Sequence, residues 1–172
     1  MLHGVKGHVP VEANHVPFGR ARVLAPGRDV TLVGISHMAL ECQRARMLLQ
    51  GAGVQAEVIV PVSLAPLDVD TVARSASKTG RLLVVDTAWT SCGASAEIAM
   101  QVVEKLGSSA AVRVGRLGFA PVPCPTAPAL EQHFYPSARQ IAAAAYALVG
   151  NAREWAPAHA DAPEVMEFRG PF

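Results

Sequence analysis

The pattern of hydrophobic and polar positions is clearest between Arg81 and Leu106. The unbroken apolar run Leu82–Val85 is typical of a strand that is buried on both faces of a parallel sheet. The loop Thr87–Gly93 follows, and in open α/β sheets such a loop lies at the carboxyl edge, where ligands or partner surfaces are placed. The residues after the loop predict a helix with one apolar stripe. The stripe consists of Ile98, Ala99, Val102, Val103 and Leu106.

The rest of the chain repeats strand and helix patterns. Further strands are predicted over Arg20–Ala25, Asp29–Ser36, Ala56–Val62 and Ala111–Leu117. Further helices are predicted over His37–Gln50 with Ser36 as its cap, between Asp68 and Gly80, and from Pro136-Ser137 to just before Gly150. This alternation predicts a mostly parallel sheet between two helix layers. The first strand reaches the second through only a tight turn, so we expect it to lie antiparallel at an edge.

Composition narrows the class of protein. We expect a lead-in over residues 1–18, one domain over residues 19–150 and a tail over residues 151–172. A hydrophobic content of 51% with 17% charged residues is typical of a compact protein. The net charge of +1, with no basic cluster, argues against nucleic-acid binding. No apolar segment approaches the ~20 residues of a membrane span and no signal-peptide pattern is present, so we expect a cytoplasmic protein.

The three cysteines, Cys42, Cys92 and Cys124, are widely spaced and form no CxxC pair. Their odd number argues against a disulfide framework, so reduced thiols with structural roles are expected. Cys92 is the exception to consider, because a thiol just before a helix can have a lowered pKa.

Five stretches of the sequence occur together in one known family. They are GHVPVEANHVPFGRARV at 7–23, DVTLVGISHMALECQRA at 29–45, AEVIVPVSLAPLDVDTV at 56–72, KTGRLLVVDTAWTSCGASAEIA at 78–99 and PVPCPTAPALEQHFYPSARQI at 121–141. In order and spacing, the chain resembles the C-terminal domain of transketolase-like proteins over about residues 7–149. The resemblance is greatest to the beta subunit of thiamine-diphosphate-dependent 2-oxoacid (pyruvate or branched-chain) dehydrogenases. It implies a three-layer α/β/α fold with a five-stranded, mostly parallel sheet and one antiparallel strand.

The resemblance implies an assembly and docking domain rather than a reaction centre. In this family thiamine diphosphate and magnesium are held by another domain or subunit, so no catalytic, cofactor-binding or metal-binding residue is assigned here. The implied partners are a second copy in a homodimer, the thiamine-binding domain or alpha subunit, and the acyltransferase core. Charge and apolar-segment length have already argued against nucleic acid and membrane as partners. Pro121 stands where the family's proline-rich loop usually has an aspartate, which weakens any carry-over of polar contacts made there. The oxoacid itself is not specified by this sequence.

A second functional class stays open, an independent small-molecule or anion binder that uses the crevice at the carboxyl edge. The start of a helix at Thr90–Ala94 would offer free amides to an anion. His37 and Glu41 lie four residues apart on a predicted helix, close enough to share a metal or a proton. Because a metal site needs three or four ligands and no third is placed by sequence, an imidazole beside a solvated carboxylate is the favoured interpretation.

The remaining candidates lie at the ends of strands and in loops. Asp86 ends the buried strand, and a structural carboxylate that binds the amides of residues 87–93 is favoured over a catalytic acid. Trp89 is an interface anchor or a core residue, and we expect it to be partly exposed. Glu131 is expected to tie down the proline-rich loop. The candidate partner or anion surface consists of Ser36, His37, Asp86, Trp89, Thr90, Ser91, Cys92 and Gly93.

Overall fold

The computed structural model describes residues 15–131, 133–150 and 155. The expected lead-in and tail fall largely outside the described residues and stay predictions. The five strands are β1 (Arg22–Ala25), β2 (Val30–Gly34), β3 (Ala56–Val60), β4 (Arg81–Trp89) and β5 (Arg113–Phe119). The helices are α1 (Met38–Gly51), α2 (Val69–Thr79), α3 (Ala94–Leu106), the single turn α4 (Pro128–Glu131) and α5 (Ala138–Leu148), with a 3-10 turn at Gly107–Ser109.

The strands form one sheet in the order β1-β3-β2-β4-β5. Strand β1 pairs antiparallel with β3, whereas the other neighbouring strands are parallel. The predicted mixed sheet with one antiparallel edge strand is therefore confirmed. Because the sheet is mostly parallel, the carboxyl ends of β2, β3, β4 and β5 meet at one edge.

Two helices cover each face of the sheet. Helices α1 and α5 pack on the face that carries Leu32, Val58 and Leu83, and helices α2 and α3 pack on the opposite face. Residues Leu82–Val85 are buried because alternate side chains enter these two cores. Cys42 lies in the α1/α5 core, where burial, and then the neighbouring Glu41, raise the pKa of its thiol.

Side-chain caps and a glycine set the ends of α2 and the start of α5. The Asp68 carboxylate accepts the Thr71 N–H at the start of α2, and Gly80 ends this helix with a φ of 68°. A left-handed φ suits glycine because it has no Cβ. Ser137 and Gln140 form a reciprocal capping box at the start of α5. These termini of α2 and α5 agree with the sequence pattern.

Three local predictions were wrong. Strand β4 continues to Trp89, so residues Thr87–Trp89 are strand and not loop. Ser36 does not cap α1: it has a left-handed φ of 54°, and His37 precedes the helix without a side-chain cap. Val103, placed on the buried stripe by its helical spacing, is exposed.

None of the helices in the described part of the chain has the length and apolar content to cross a bilayer.

Candidate functional site

The carboxyl edge of the sheet brings together the loops that carry the candidate residues. The Ile35 N–H donates to the Val85 carbonyl oxygen at 3.0 Å, so the segment at Ser36 lies beside the exit of β4. The loop after β4 is only four residues long, Thr90–Gly93, and leads directly into α3. The structure thus places both loops of the predicted surface at the same edge.

The Thr90–Gly93 loop is a tight turn. A Cβ at Gly93 would overlap the Trp89 carbonyl oxygen, so the return of the chain requires glycine at that position. Cys92 has a left-handed φ of 59°, and its side chain is exposed with that of Ser91. The Thr90 carbonyl accepts a hydrogen bond from the Arg116 guanidinium, which ties the turn to β5.

Asp86 is buried and faces the start of α3. One oxygen of its carboxylate accepts the Ser95 N–H at 3.1 Å. The expectation that Asp86 binds the amides of residues 87–93 was therefore wrong, because the hydrogen-bond partner of its carboxylate lies on the helix beyond the turn. A carboxylate at this point complements the positive end of the helix dipole. The start of α3 already has a negative group from its own chain, which argues against an anion site at Thr90–Ala94.

His37 and Glu41 meet on the other face of the sheet. Val85 packs in the α1/α5 core, so the next side chain along β4, Asp86, lies on the opposite face. His37 Nε2 is 3.7 Å from Glu41 Oε1, and the same oxygen is 2.5 Å from Arg44 Nη1. The sheet separates the buried acid of β4 from the imidazole, so the candidate residues do not form one catalytic cluster.

Glu41 connects two helices. Its second carboxylate oxygen accepts the Ala138 N–H at 3.1 Å, at the start of α5. Glu41 is buried, and the Arg44 side chain beside it is largely buried. Burial, followed by the positive charge of Arg44, lowers the pKa of His37 below its ordinary value. This group therefore joins α1 and α5. The expectation of a solvated carboxylate at Glu41 was wrong, because the packing of α5 against α1 buries it.

An aromatic cluster lies beside Trp89. The edge aromatic cluster consists of Trp89, Phe119, Phe134 and Tyr135, four of the nine aromatic residues of the chain. The Trp89 ring packs edge-on against Phe119 at 5.8 Å and against Phe134 at 6.2 Å between centroids. Its Nε1–H donates to the Ala120 carbonyl at 3.1 Å, yet 48% of Trp89 remains exposed. Trp89 is thus held in a fixed orientation with one part open to solvent.

Sequence reasoning missed the other three members of the edge aromatic cluster. Phe119 pairs with Trp89 across neighbouring strands, and Phe134 and Tyr135 return from the end of the proline-rich loop. A signal was present in the sequence, since these three aromatic residues flank that loop. The cluster forms because Trp89 pairs with Phe119, 30 residues away on the neighbouring strand, and local periodicity does not encode that pairing.

The proline-rich loop is anchored next to this cluster. Glu131 is buried in the short α4, and the Ala120 N–H donates to the Phe134 carbonyl at 3.0 Å. Burial, and then a hydrogen bond with Cys124, raise the pKa of Tyr135 to about 12. Tyr135 therefore stays a neutral phenol at neutral pH. Tyr135 also forms a side-chain hydrogen bond with Glu131, and this contact supports the expected role of Glu131 in fixing the loop.

The described residues do not fit a thiamine diphosphate and magnesium site. Within residues 15–131, 133–150 and 155, no three His, Cys, Asp or Glu side chains come together in a way that could hold a metal ion. Asp86 already lies against the start of α3, where a diphosphate would otherwise find free amides. We therefore derive no chemical step through this cofactor, and the expectation that this chain holds no metal stays a prediction.

Comparison with known proteins identifies one family. The family model described as transketolase, C-terminal domain, matches residues 19–141. The beta subunit of acetoin:2,6-dichlorophenolindophenol oxidoreductase of Cupriavidus necator is 38% identical over 144 residues, which are 84% of this chain and 43% of that protein. The mitochondrial pyruvate dehydrogenase E1 component subunit beta of Dictyostelium discoideum is 36% identical over 116 residues, 67% of this chain and 33% of that protein.

A solved structure shares the fold. It is named split gene transketolase, inactive beta4 tetramer, and superposes with a TM-score of 0.68 at 27% identity. The match covers 86% of this chain and 47% of that one. The chain therefore spans less than half the length of each of these proteins.

Proposed function

Because the chain belongs to the transketolase C-terminal domain family, we propose that it is the assembly domain of a beta subunit in a thiamine-diphosphate-dependent 2-oxoacid dehydrogenase. In this role it contributes protein contacts to the complex and has no decarboxylase activity alone. Its partners are a second copy of itself, the thiamine-binding half or alpha subunit, and the acyltransferase core. We place this assembly in the cytoplasm.

The observation that carries the proposal is the half-exposed Trp89 in the edge aromatic cluster. An indole that is fixed by two ring contacts and a hydrogen bond loses little conformational freedom when a partner covers it. Tryptophan is also among the residues enriched at the energetic centres of protein interfaces. These features support a contact surface at the carboxyl edge.

The acidic groups support the same proposal because they are engaged within the domain. Asp86 binds the start of α3, and Glu41 binds Arg44 and the start of α5. In the whole enzyme, thiamine diphosphate supplies the electron sink for cleavage of the oxoacid. The role left to this chain is to position the subunits around that cofactor.

An independent anion binder is the weaker candidate. Its sequence argument rested on free amides at Thr90–Ala94, and the buried Asp86 carboxylate lies at that helix terminus. The names of the relatives favour a different second candidate, which concerns the substrate. Two matching beta subunits, from Cupriavidus necator and Bacillus subtilis, are named for acetoin, so acetoin belongs in the assay beside the oxoacids.

Reconstitution tests the proposed function. The chain alone, with thiamine diphosphate, magnesium and 2,6-dichlorophenolindophenol, is expected to show no turnover of pyruvate, branched oxoacids or acetoin. A chimera in which this chain replaces the matched stretch of the Cupriavidus necator beta subunit is expected to show turnover when mixed with the alpha subunit of that organism. Turnover by the isolated chain, or an inactive but correctly assembled chimera, would contradict the proposal.

A further inference from the structure

Three exposed apolar residues lie on two adjoining segments where the chain approaches β1. The lead-in patch consists of Phe18, Val62 and Leu64. Phe18 is 89% exposed, and Val62 and Leu64 are half exposed. The two segments that carry them adjoin because the Gly19 N–H donates to Ser63 Oγ at 3.1 Å, and Ser63 lies between Val62 and Leu64 in the sequence. The patch therefore joins the segment before β1 to the connection after β3.

The backbone beneath the lead-in patch is fixed. Ser63 Oγ also donates to the Pro66 carbonyl at 2.6 Å, and a Cβ at Gly19 would come within 3.0 Å of the Pro66 ring. Two residues further on, the Ala21 N–H donates to Asp68 Oδ2 at 2.9 Å, the carboxylate that also caps α2. These contacts fix the backbone next to Phe18, whose side chain is exposed. An exposed phenylalanine on a fixed backbone favours binding of a partner. Covering it removes apolar surface from water, and little backbone conformational entropy is lost because the backbone is already fixed.

The exposed large apolar residues are concentrated at the carboxyl edge of the sheet. Twelve large hydrophobic residues are exposed among the described residues, and six of them lie at the carboxyl edge. The connections at the opposite edge, residues 26–29, 52–55, 80 and 107–112, contribute none of the twelve. The six are Phe18, Val62, Leu64, Trp89, Val122 and Leu130. Because β1 is antiparallel to β3, the chain also approaches the domain at this apolar edge.

We propose that the lead-in patch is the docking surface for an apolar face of the thiamine-binding half of the subunit. The inference rests on the proposed function and specifies where that partner lies. The family model begins at residue 19, directly after Phe18, and describes a C-terminal domain. More than half of the length of the Cupriavidus necator relative lies outside its match to this chain. In such a subunit the preceding half meets this domain next to Phe18, whether one chain or two carry the halves.

Variants compared in two settings test the docking surface. Phe18→Ser and Leu64→Ser are expected to leave the melting temperature of the isolated chain unchanged, because both side chains already face solvent. In the chimera with the Cupriavidus necator beta subunit, each is expected to lower the melting temperature by about 2 °C or more. Met47→Ser, at an exposed position on α1 away from the carboxyl edge, is the matched control and is expected to be silent in both settings.

Three experimental outcomes would overturn the proposed docking surface. If Phe18→Ser and Leu64→Ser are silent in a folded chimera, the proposal is overturned. It is also overturned if sedimentation shows that the isolated chain self-associates and that Phe18→Ser abolishes this, because the occupant is then a second copy. If the chimera does not fold, the two halves are co-expressed as separate chains. Phe18→Ser is then expected to reduce co-purification at least about fivefold relative to Met47→Ser, and failure of the unsubstituted chain to co-purify overturns the proposal.

This test separates the docking surface from the proposed function. Chimera turnover with silent Phe18 and Leu64 variants supports the function and rejects the surface. A chimera that is inactive with all three substrates, yet destabilised by Phe18→Ser, supports the surface and rejects the function.

Discussion

At the scale of single residues, Asp86 shows how one buried charge organises the carboxyl edge. Its carboxylate lies at the start of α3, within hydrogen-bonding distance of the Ser95 amide, and beneath the tight turn that returns the chain from β4. A negative charge at a helix N-terminus is favourable because the exposed N–H groups there carry partial positive charge. Asp86 thus links the end of a central strand to the helix that follows it.

Replacing Asp86 with asparagine removes this charge and keeps a side-chain oxygen. We expect Asp86→Asn to lower the free energy of unfolding by about 1–2 kcal/mol, since partly buried charges at helix termini contribute up to about 2 kcal/mol. Glu97→Gln is the matched control, because Glu97 lies in the first turn of the same helix on an exposed side. Urea unfolding curves give the comparison, and an equal loss in both variants would contradict the role assigned to Asp86.

His37 makes stability depend on pH. Because burial and Arg44 lower its pKa in the folded state, the unfolded chain takes up this proton first as the pH falls below about 6.5. The stabilisation is complete above that pH and is lost as the pH falls towards the folded-state pKa. We expect the free energy of unfolding to fall more steeply with decreasing pH for the unsubstituted chain than for His37→Gln. The measurement runs from about pH 7.5 to about pH 5, which brackets the ordinary histidine pKa of about 6.5.

The control for this pH series is His133→Gln, which removes a histidine at an exposed position. Parallel curves for the unsubstituted chain and His37→Gln would show that the pH dependence arises elsewhere.

At the scale of elements, Glu41 couples α1 to α5 and so holds one helix layer together. Glu41→Gln is expected to lower the free energy of unfolding by about 2–3 kcal/mol, because it leaves the largely buried Arg44 without its ion pair and removes a charge from the start of α5. Hydrogen exchange should accelerate more in α5 than in α3. Glu104→Gln, exposed on α3, is the matched control. Uniform acceleration in both helices would argue against a specific connection.

The elements that the sequence predicted well are those set by neighbouring residues. The run Leu82–Val85 indicates a central strand because both of its faces are buried. Asp68 and Gly80 mark the two ends of α2 because their capping chemistry is local. The antiparallel placement of β1 follows from the length of its connection to β2, which is too short for a crossover.

The features that sequence reasoning missed depend on distant partners. Strand β4 extends to Trp89 because Trp89 pairs with Phe119 across the sheet, although residues 87–89 have no marked strand pattern. Val103 fits the helical spacing of the buried stripe, but the orientation of α3 on the sheet leaves it exposed. Asp86 binds α3 instead of its own loop, because the tight turn brings the helix start over the end of the strand.

At the scale of the whole molecule, we expect the chain to pair with itself through the Trp89 surface. Trp89→Ala should raise the dissociation constant about 30-fold, the equivalent of about 2 kcal/mol for an interface hot spot. Its cost to folding should stay below the ~3–5 kcal/mol of a fully buried tryptophan, because about half of the side chain is exposed. Sedimentation velocity at micromolar concentrations measures the pairing, with Met47→Ala as control. A chain that is only monomeric would contradict this expectation.

The burial of Cys42 makes the reactivity of its thiol a measure of how often the α1/α5 helix layer opens. Thiol reagents attack the thiolate, and both the enclosure of Cys42 and its raised pKa suppress that reaction in the folded state. Cys92 and Cys124 are exposed, so two equivalents of reagent are consumed without disturbing the core. Consumption of the third equivalent then requires separation of α1 from the sheet and from α5. A colorimetric thiol titration followed over time would report how often that helix layer opens, without an added label or an engineered residue.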